Sequence, residues 1–109
     1  MYERETALFK ALADENRLKI LSLLRCGEKC ACRLQDELAI GQPTLSYHIG
    51  LLCASGIVRA RRQGRWTYYS IDREGCARAG EMLESLTGCC EGCCREAEQE
   101  QQLLHGGMP

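Results

Sequence analysis

Gly41-Gln42-Pro43-Thr44-Leu45-Ser46-Tyr47-His48-Ile49-Gly50-Leu51-Leu52-Cys53-Ala54-Ser55-Gly56 is the stretch whose reading decides the fold. Pro43 suits the first turn of a helix, where its missing N–H costs nothing. Gly56 stands where a helix-ending glycine with positive φ belongs. Between them Leu45, Ile49 and Leu52 recur at i, i+4 and i+7, one apolar stripe. Gln42, Thr44, Ser46, Tyr47 and His48 fill the remaining face near the N-terminal end with short or planar hydrogen-bonding groups. A helix buried on one side and polar in this way suits the second helix of a helix-turn-helix, which reads base edges. Taken alone, the stretch also suits an ordinary surface helix.

The residues on either side narrow the choice. Upstream, Ala31 to Leu38 reads as a short helix entered through Cys30-Ala31-Cys32, and Ala39-Ile40-Gly41 is a tight connection into the Pro43 helix. Two helices joined by so short a turn are the helix-turn-helix signature. Downstream the period changes: Ile57 to Gln63 and Trp66 to Ile71 are β-prone runs flanking Gly64-Arg65. Glycine first in a two-residue loop predicts a hairpin with a type II′ turn. Arg61, Arg62 and Arg65 make this hairpin cationic toward its tip, beside Trp66, as expected of a wing that touches phosphates or a minor groove. A solvated hairpin that uses arginine for solubility is the plainer alternative.

Farther out, Glu3 to Ala13 reads as a first helix with Leu8, Phe9 and Leu12 on one face. Asp14 is placed to cap a second, Glu15 to Arg25, whose Leu18, Ile20, Leu21, Leu23 and Leu24 predict a core helix ended by Gly27. Asp72 is placed to cap a last helix reaching Leu86, with Cys76, Ala79, Met82, Leu83 and Leu86 at helical spacing. So small a domain leaves that stripe little to cover. The expectation is a homodimer through the first and last helices, with Leu8, Leu12, Leu83 and Leu86 in contact. The expected fold class is mainly α with a small β-hairpin (α+β). Its expected division is a winged helix-turn-helix over 1–88 and a cysteine-rich tail over 89–109, in which Arg95 to Leu104 reads as a polar, Glu/Gln-rich helix.

Charge is distributed unevenly along the 109 residues, whose net charge is −1. Residues 1–40 hold seven acids and seven bases, residues 41–71 four arginines and no acid, and residues 72–109 eight acids and three bases. A basic middle on an otherwise neutral or acidic chain points to a local anionic partner, double-stranded DNA above all. No apolar run reaches the eighteen residues a membrane helix needs, so no membrane partner is expected. Met1-Tyr2-Glu3-Arg4-Glu5 lacks the basic-then-apolar pattern of a signal peptide, and a cytoplasmic location is expected. There the nine cysteines read as thiols for metal or redox work rather than structural disulfides. An enzyme is not expected: the chain has no Gly-rich phosphate loop, no Ser/His/Asp set and no His beside a nucleophilic Cys.

Leu12-Ala13-Asp14-Glu15-Asn16-Arg17-Leu18-Lys19-Ile20-Leu21, Cys30-Ala31-Cys32, Gln42-Pro43-Thr44-Leu45-Ser46-Tyr47-His48-Ile49 and Gln63-Gly64-Arg65-Trp66 together resemble the ArsR/SmtB family. These are bacterial metal-sensing, winged-helix, dimeric repressors, and the resemblance spans roughly residues 5–86. It implies that Gln42 to His48 reads an inverted-repeat operator, that the 57–71 hairpin is the wing, and that metal binding releases DNA. Arsenic-sensing members carry Cys-x-Cys-x-x-Cys at the third helix. Cys30 and Cys32 match its first two positions, but Gln35 occupies the third. Zinc-sensing members place His-containing ligand pairs on the last helix, and this chain, with only His48 and His105, cannot build them. Other arsenic sensors carry a vicinal cysteine pair and a third cysteine after the last helix, which Cys89-Cys90 with Cys93 or Cys94 resembles.

Thiolates select thiophilic ions and exclude Mg, Ca and Mn. On a helix Cys89/Cys93 and Cys90/Cys94 would be i, i+4 pairs, three of whose sulfurs suit the pyramid of trivalent arsenic or antimony, the expected inducer. If Gly92 breaks that helix, Cys90-Glu91-Gly92-Cys93 suits a tetrahedral Cd or Zn site instead. Cys30/Cys32, with two ligands and no third, is the secondary site or one completed by tail cysteines. Cys26, Cys53 and Cys76 read as packing residues. The expected function is a repressor that leaves its operator on binding arsenic or antimony. A thiol-redox or persulfide-responsive repressor, or a Cd/Pb-responsive one, on the same fold is the alternative.

Overall fold

In a computed structural model of the chain, described over residues 1–89, the elements follow one another as α1 (Glu3–Leu12), α2 (Glu15–Leu24), β1 (Lys29–Cys30), α3 (Ala31–Leu38), α4 (Gln42–Ala54), β2 (Val58–Gln63), β3 (Trp66–Ile71) and α5 (Arg73–Thr87). The tail from 90 to 109, with the expected Arg95–Leu104 helix, lies outside the described residues. Both aspartate caps form: Asp14 accepts a hydrogen bond from the Arg17 backbone N–H at 3.2 Å, and Asp72 from Gly75 N–H at 3.0 Å. Each satisfies a donor that a helix start leaves open. Gly56 (φ 85°) takes the positive φ expected after α4, and Gly27, expected to end α2, follows it with φ 138°.

The core is built where the stripes predict. Leu45, Ile49 and Leu52 of α4 are 2%, 4% and 0% exposed, and they pack with Ile20 and Leu24 of α2, Leu34 of α3, and Ile57 and Val58. Two apolar expectations fail. Leu18 is 53% exposed, because α2 turns Arg17, Ile20 and Leu24 inward at i, i+3 and i+7 and Leu18 falls off that face. Leu8 is buried within its own chain and Leu12 packs against the same core, whereas Phe9 stays exposed. Leu8 and Leu12 therefore have little surface left for a partner.

The hairpin is as expected. Gly64 has φ 62°, and Ala39 is the one non-glycine with positive φ among the described residues. Arg65 therefore has negative φ, which fits a type II′ turn and excludes type I′. Unforeseen is β1, which adds to β3 through Lys29↔Tyr69 and Cys30↔Tyr68 and makes the sheet three-stranded in the order β1-β3-β2. A two-residue strand leaves no alternation to read. Ala39 takes the left-handed conformation (φ 54°, ψ 45°), and its N–H and that of Ile40 both reach the Gln35 carbonyl. That closes the turn between α3 and α4.

Gly75 lies where α5 crosses the end of α4, and a Cβ there would run into the Gly56 carbonyl oxygen. Gly50, mid-α4 and exposed, has open space around it. Gly75→Ala should therefore destabilise the fold, whereas Gly50→Ala should stabilise it by up to about 1 kcal/mol from helix propensity. Urea midpoints of the two variants moving in opposite directions would verify the close approach.

Candidate nucleic-acid interface

The fold presents four of the five expected α4 residues to solvent. Gln42, Thr44, Ser46 and Tyr47 are exposed near the start of α4, opposite the buried Leu45, Ile49 and Leu52. His48 is different. It is 8% exposed and points inward, where its Nδ1 lies 3.1 Å from Arg17 Nη1. Arginine can only donate, so Nδ1 carries no proton and accepts this bond. The approach of Asp14 Oδ2 to the same nitrogen, 3.7 Å, is therefore not an ion pair while that bond holds. The expectation that His48 faces outward with its neighbours is corrected: three residues beyond Leu45, it shares the inner side of the helix. The partner that draws it inward, Arg17, is 31 positions away in the chain.

Arg17 is itself 8% exposed and donates from Nη2 to the Lys10 carbonyl at 3.2 Å. Its Nε is buried without a partner among the described residues. One guanidinium thus joins the end of α1, the start of α2 and the middle of α4.

The wing arginines divide by what already holds them. Arg61 forks onto Glu28, Nε to Oε2 at 3.0 Å and Nη2 to Oε1 at 2.7 Å. It also donates from Nη1 to Gln63 Oε1 at 2.8 Å and lies 4.7 Å over the Tyr68 ring. The hydrogen bond and charge of Arg61 hold the Glu28 carboxyl below its usual range. Arg62 and Arg65 are exposed and make no side-chain hydrogen bond or ion pair with other described residues. They are the cations available to a phosphate, with Trp66, 53% exposed, beside them.

Of the cysteines, the described residues bring together one pair. Cys30, at the end of β1, and Cys32, in the first turn of α3, hold their Sγ atoms 2.9 Å apart at the surface. The hydrogen bond from Cys32, then the Arg33 backbone N–H, lowers the Cys30 pKa, and the same hydrogen bond raises that of Cys32. The pair therefore releases its first proton readily and its second reluctantly. Cys53 and Cys76 are half-buried against the core, as expected of packing residues, but Cys26 is exposed. Cys89 is exposed at the end of the described chain; Cys90, Cys93, Cys94 and His105 lie outside the described residues. No group of three or more His, Cys, Asp or Glu that could hold a metal ion occurs among the described residues.

A polar helix face beside a cationic hairpin defines a winged helix-turn-helix DNA-binding regulator. Relatives agree. Residues 14–60 match the model of the bacterial regulatory protein arsR family. An uncharacterized HTH-type transcriptional regulator of Methanocaldococcus jannaschii is 46% identical over 71 residues, 64% of this chain and 80% of that protein. The arsenical resistance operon repressor of Staphylococcus xylosus is 35% identical over 92 residues, 84% of this chain and 88% of the repressor. Among solved structures, the homodimeric winged helix-turn-helix DNA-binding domain of a possible ArsR-family regulator from Mycobacterium bovis superposes with a TM-score of 0.65 at 32% identity, over 77% of this chain and 78% of that one. The chain belongs to the ArsR family of bacterial transcriptional regulators.

Two contrasts test the interface. Arg62→Ala and Arg65→Ala should each flatten the salt dependence of DNA binding by about one unit, the value of one lost phosphate contact. Arg61→Ala should leave the slope unchanged. Fluorescence anisotropy over a salt series reads all three.

The second contrast separates reading from support. Ser46→Ala should lose about 1–3 kcal/mol of discrimination between operator and random DNA with stability intact. His48→Ala should instead leave Arg17 short of an acceptor and cost about 1–3 kcal/mol of stability, seen in urea denaturation.

Proposed function

We propose that the protein is a homodimeric repressor that leaves its operator when cysteine thiolates capture trivalent arsenic or antimony. The observation that carries the inducer is the exposed Cys30/Cys32 pair, 2.9 Å between sulfurs, at the start of the helix that supports the recognition helix. Two sulfurs do not complete a trivalent pyramid, and Gln35 occupies the place of a third. The third sulfur comes from the tail, from Cys89, Cys90, Cys93 or Cys94. The second arrangement, which the sequence alone ranks first, is a site made by the tail, from Cys89, Cys90 and Cys93 or Cys94. The similar staphylococcal repressor, an arsenical resistance protein by name, supports the same inducer.

DNA binding rests on Gln42, Thr44, Ser46 and Tyr47 for base edges and on Arg62 and Arg65 for phosphates. The dimer uses α1 and α5, where Phe9, Leu83 and Leu86 are 37%, 51% and 42% exposed. A groove of about 650 Å³ between α1, α4 and α5 carries Arg4, Lys10, Arg17 and Arg78 and no carboxylate. The exposed end of α5 offers Glu81 and Glu84 beside its leucines, so a second copy fits that groove in charge and in apolarity. Half-sites on a two-fold operator are read one per subunit. No helix among the described residues is long and apolar enough to cross a membrane.

The decisive comparison sets Cys30→Ser/Cys32→Ser against Cys89→Ser/Cys90→Ser, assayed for operator release by arsenite, antimonite, Cd and Zn. Loss of the arsenite response in the first variant, and a weakened response in the second, is expected. A full arsenite response in the first with silence in the second would place the site in the tail alone. Release by hydrogen peroxide, with arsenite inert on every variant, would replace the metalloid reading by a redox one.

A further inference from the structure

We propose that the Glu28–Arg61 clasp is the coupling contact through which occupancy of the Cys30/Cys32 pair reaches the wing; this rests on the reading of that pair as part of the inducer site. The argument begins with register. Cys30 of β1 stands opposite Tyr68 of β3, and Tyr68 stands opposite Arg61 of β2. Residues directly opposite one another across an antiparallel sheet share a face. Glu28, two residues before Cys30, brings its carboxylate to that face and accepts the fork of Arg61 at 3.0 and 2.7 Å. The guanidinium also lies over Tyr68 and binds Gln63 Oε1. One row of side chains thus runs from the thiol pair to the hairpin.

The row has a soft end and a firm end. β3 pairs with β2 at six positions, from Val58↔Ile71 to Gln63↔Trp66, but with β1 at only two. Two sulfurs bound to one ion stand farther apart than the 2.9 Å between Cys30 and Cys32, so occupancy must shift Cys30 relative to the first turn of α3, and β1 is the strand that yields. Glu28 moves with it, and the carboxylate that holds Arg61 over Tyr68 changes place. All three side-chain nitrogens of Arg61 already bond within the protein, although the side chain is 50% exposed. Its role is to carry a movement of β1 to the hairpin, whose resting aim is held by the six β2–β3 pairs, rather than to touch DNA. Bidentate geometry makes this the best-formed of the ion pairs on the described surface, although exposed pairs are individually weak. Its removal should therefore reduce communication between sites and leave each site working.

The test uses full-length reduced protein, arsenite as the probe and a labelled duplex of the DNA upstream of its own gene. The operator Kd is measured with and without saturating arsenite for the native chain, Glu28→Gln and Cys30→Ser/Cys32→Ser. Arsenite stoichiometry is followed by the loss of free thiols. For Glu28→Gln, arsenite uptake and arsenite-free operator affinity should match the native chain, while the arsenite-induced rise in Kd should shrink by up to about fivefold, the upper end for an exposed ion pair. In the Cys30→Ser/Cys32→Ser background, Glu28→Gln should change nothing further. An undiminished arsenite effect in Glu28→Gln, with the native chain responding and the cysteine variant silent, overturns the coupling role alone. A native chain that ignores arsenite, or a cysteine variant that responds in full, overturns the inducer reading and the coupling role with it.

Discussion

A guanidinium stays charged in any protein, so burying Arg17 obliges its surroundings to supply acceptors. Two come from outside its own helix: the Lys10 carbonyl at the end of α1 and the His48 ring in the middle of α4. The Arg17 backbone N–H meanwhile bonds the Asp14 cap. Three helices are held in one geometry by a single side chain, and the recognition helix is one of them. Apolar packing by Leu45, Ile49 and Leu52 is non-directional and would tolerate a range of rolls about the α4 axis. A hydrogen bond to one ring nitrogen would not. The outward aim of Gln42, Thr44, Ser46 and Tyr47 follows from what His48 does on the inner side.

Much of this fold was legible because it rests on local chemistry. The α4 stripe, the two aspartate caps, the glycine ends and the Gly64 turn each follow from residues within a few positions of one another, and each formed as read. What escaped depends on distant partners. Histidine beside serine and tyrosine on a polar stretch reads as exposed; only Arg17, on another helix, draws it inward. Leu18 was misplaced by counting leucines, when the inner face of α2 is set by the unexpected burial of a charge. The strand β1 exists because Tyr68 and Tyr69 come to pair with it, and its two residues carry no period of their own. Of the expected site, the α4 face and the wing arginines were found at the surface, but the separate fates of Arg61, Arg62 and Arg65 depend on Glu28, 33 positions before Arg61.

The thiol pair and the wing belong to one sheet, which gives the small domain an economy that a helix-only fold lacks. The thiol pair at the start of α3 adjoins two parts of the fold: through the turn at Ala39 the chain leads into α4, and through β1 it pairs with the hairpin strand β3. Both routes are short: the first is α3 and its turn, and the second joins the two-position β1–β3 pairing to the Glu28–Arg61 clasp. The modest net charge of −1 conceals an uneven distribution, with four arginines and no acid over residues 41–71 concentrated in the hairpin.

Trp66 is the sole tryptophan of the chain and stands 53% exposed at the wing tip, opposite Gln63 in the register. The core contains none, being built from leucine, isoleucine and valine. Indole emission from this protein is therefore a spectroscopic signal of one surface point. The native indole is already about half exposed, so unfolding changes its signal less than that of a buried tryptophan, and tyrosine and backbone signals follow the fold more directly. What the emission does register is dehydration of the hairpin end: the molecule carries its own optical gauge of whether the wing is in contact with something.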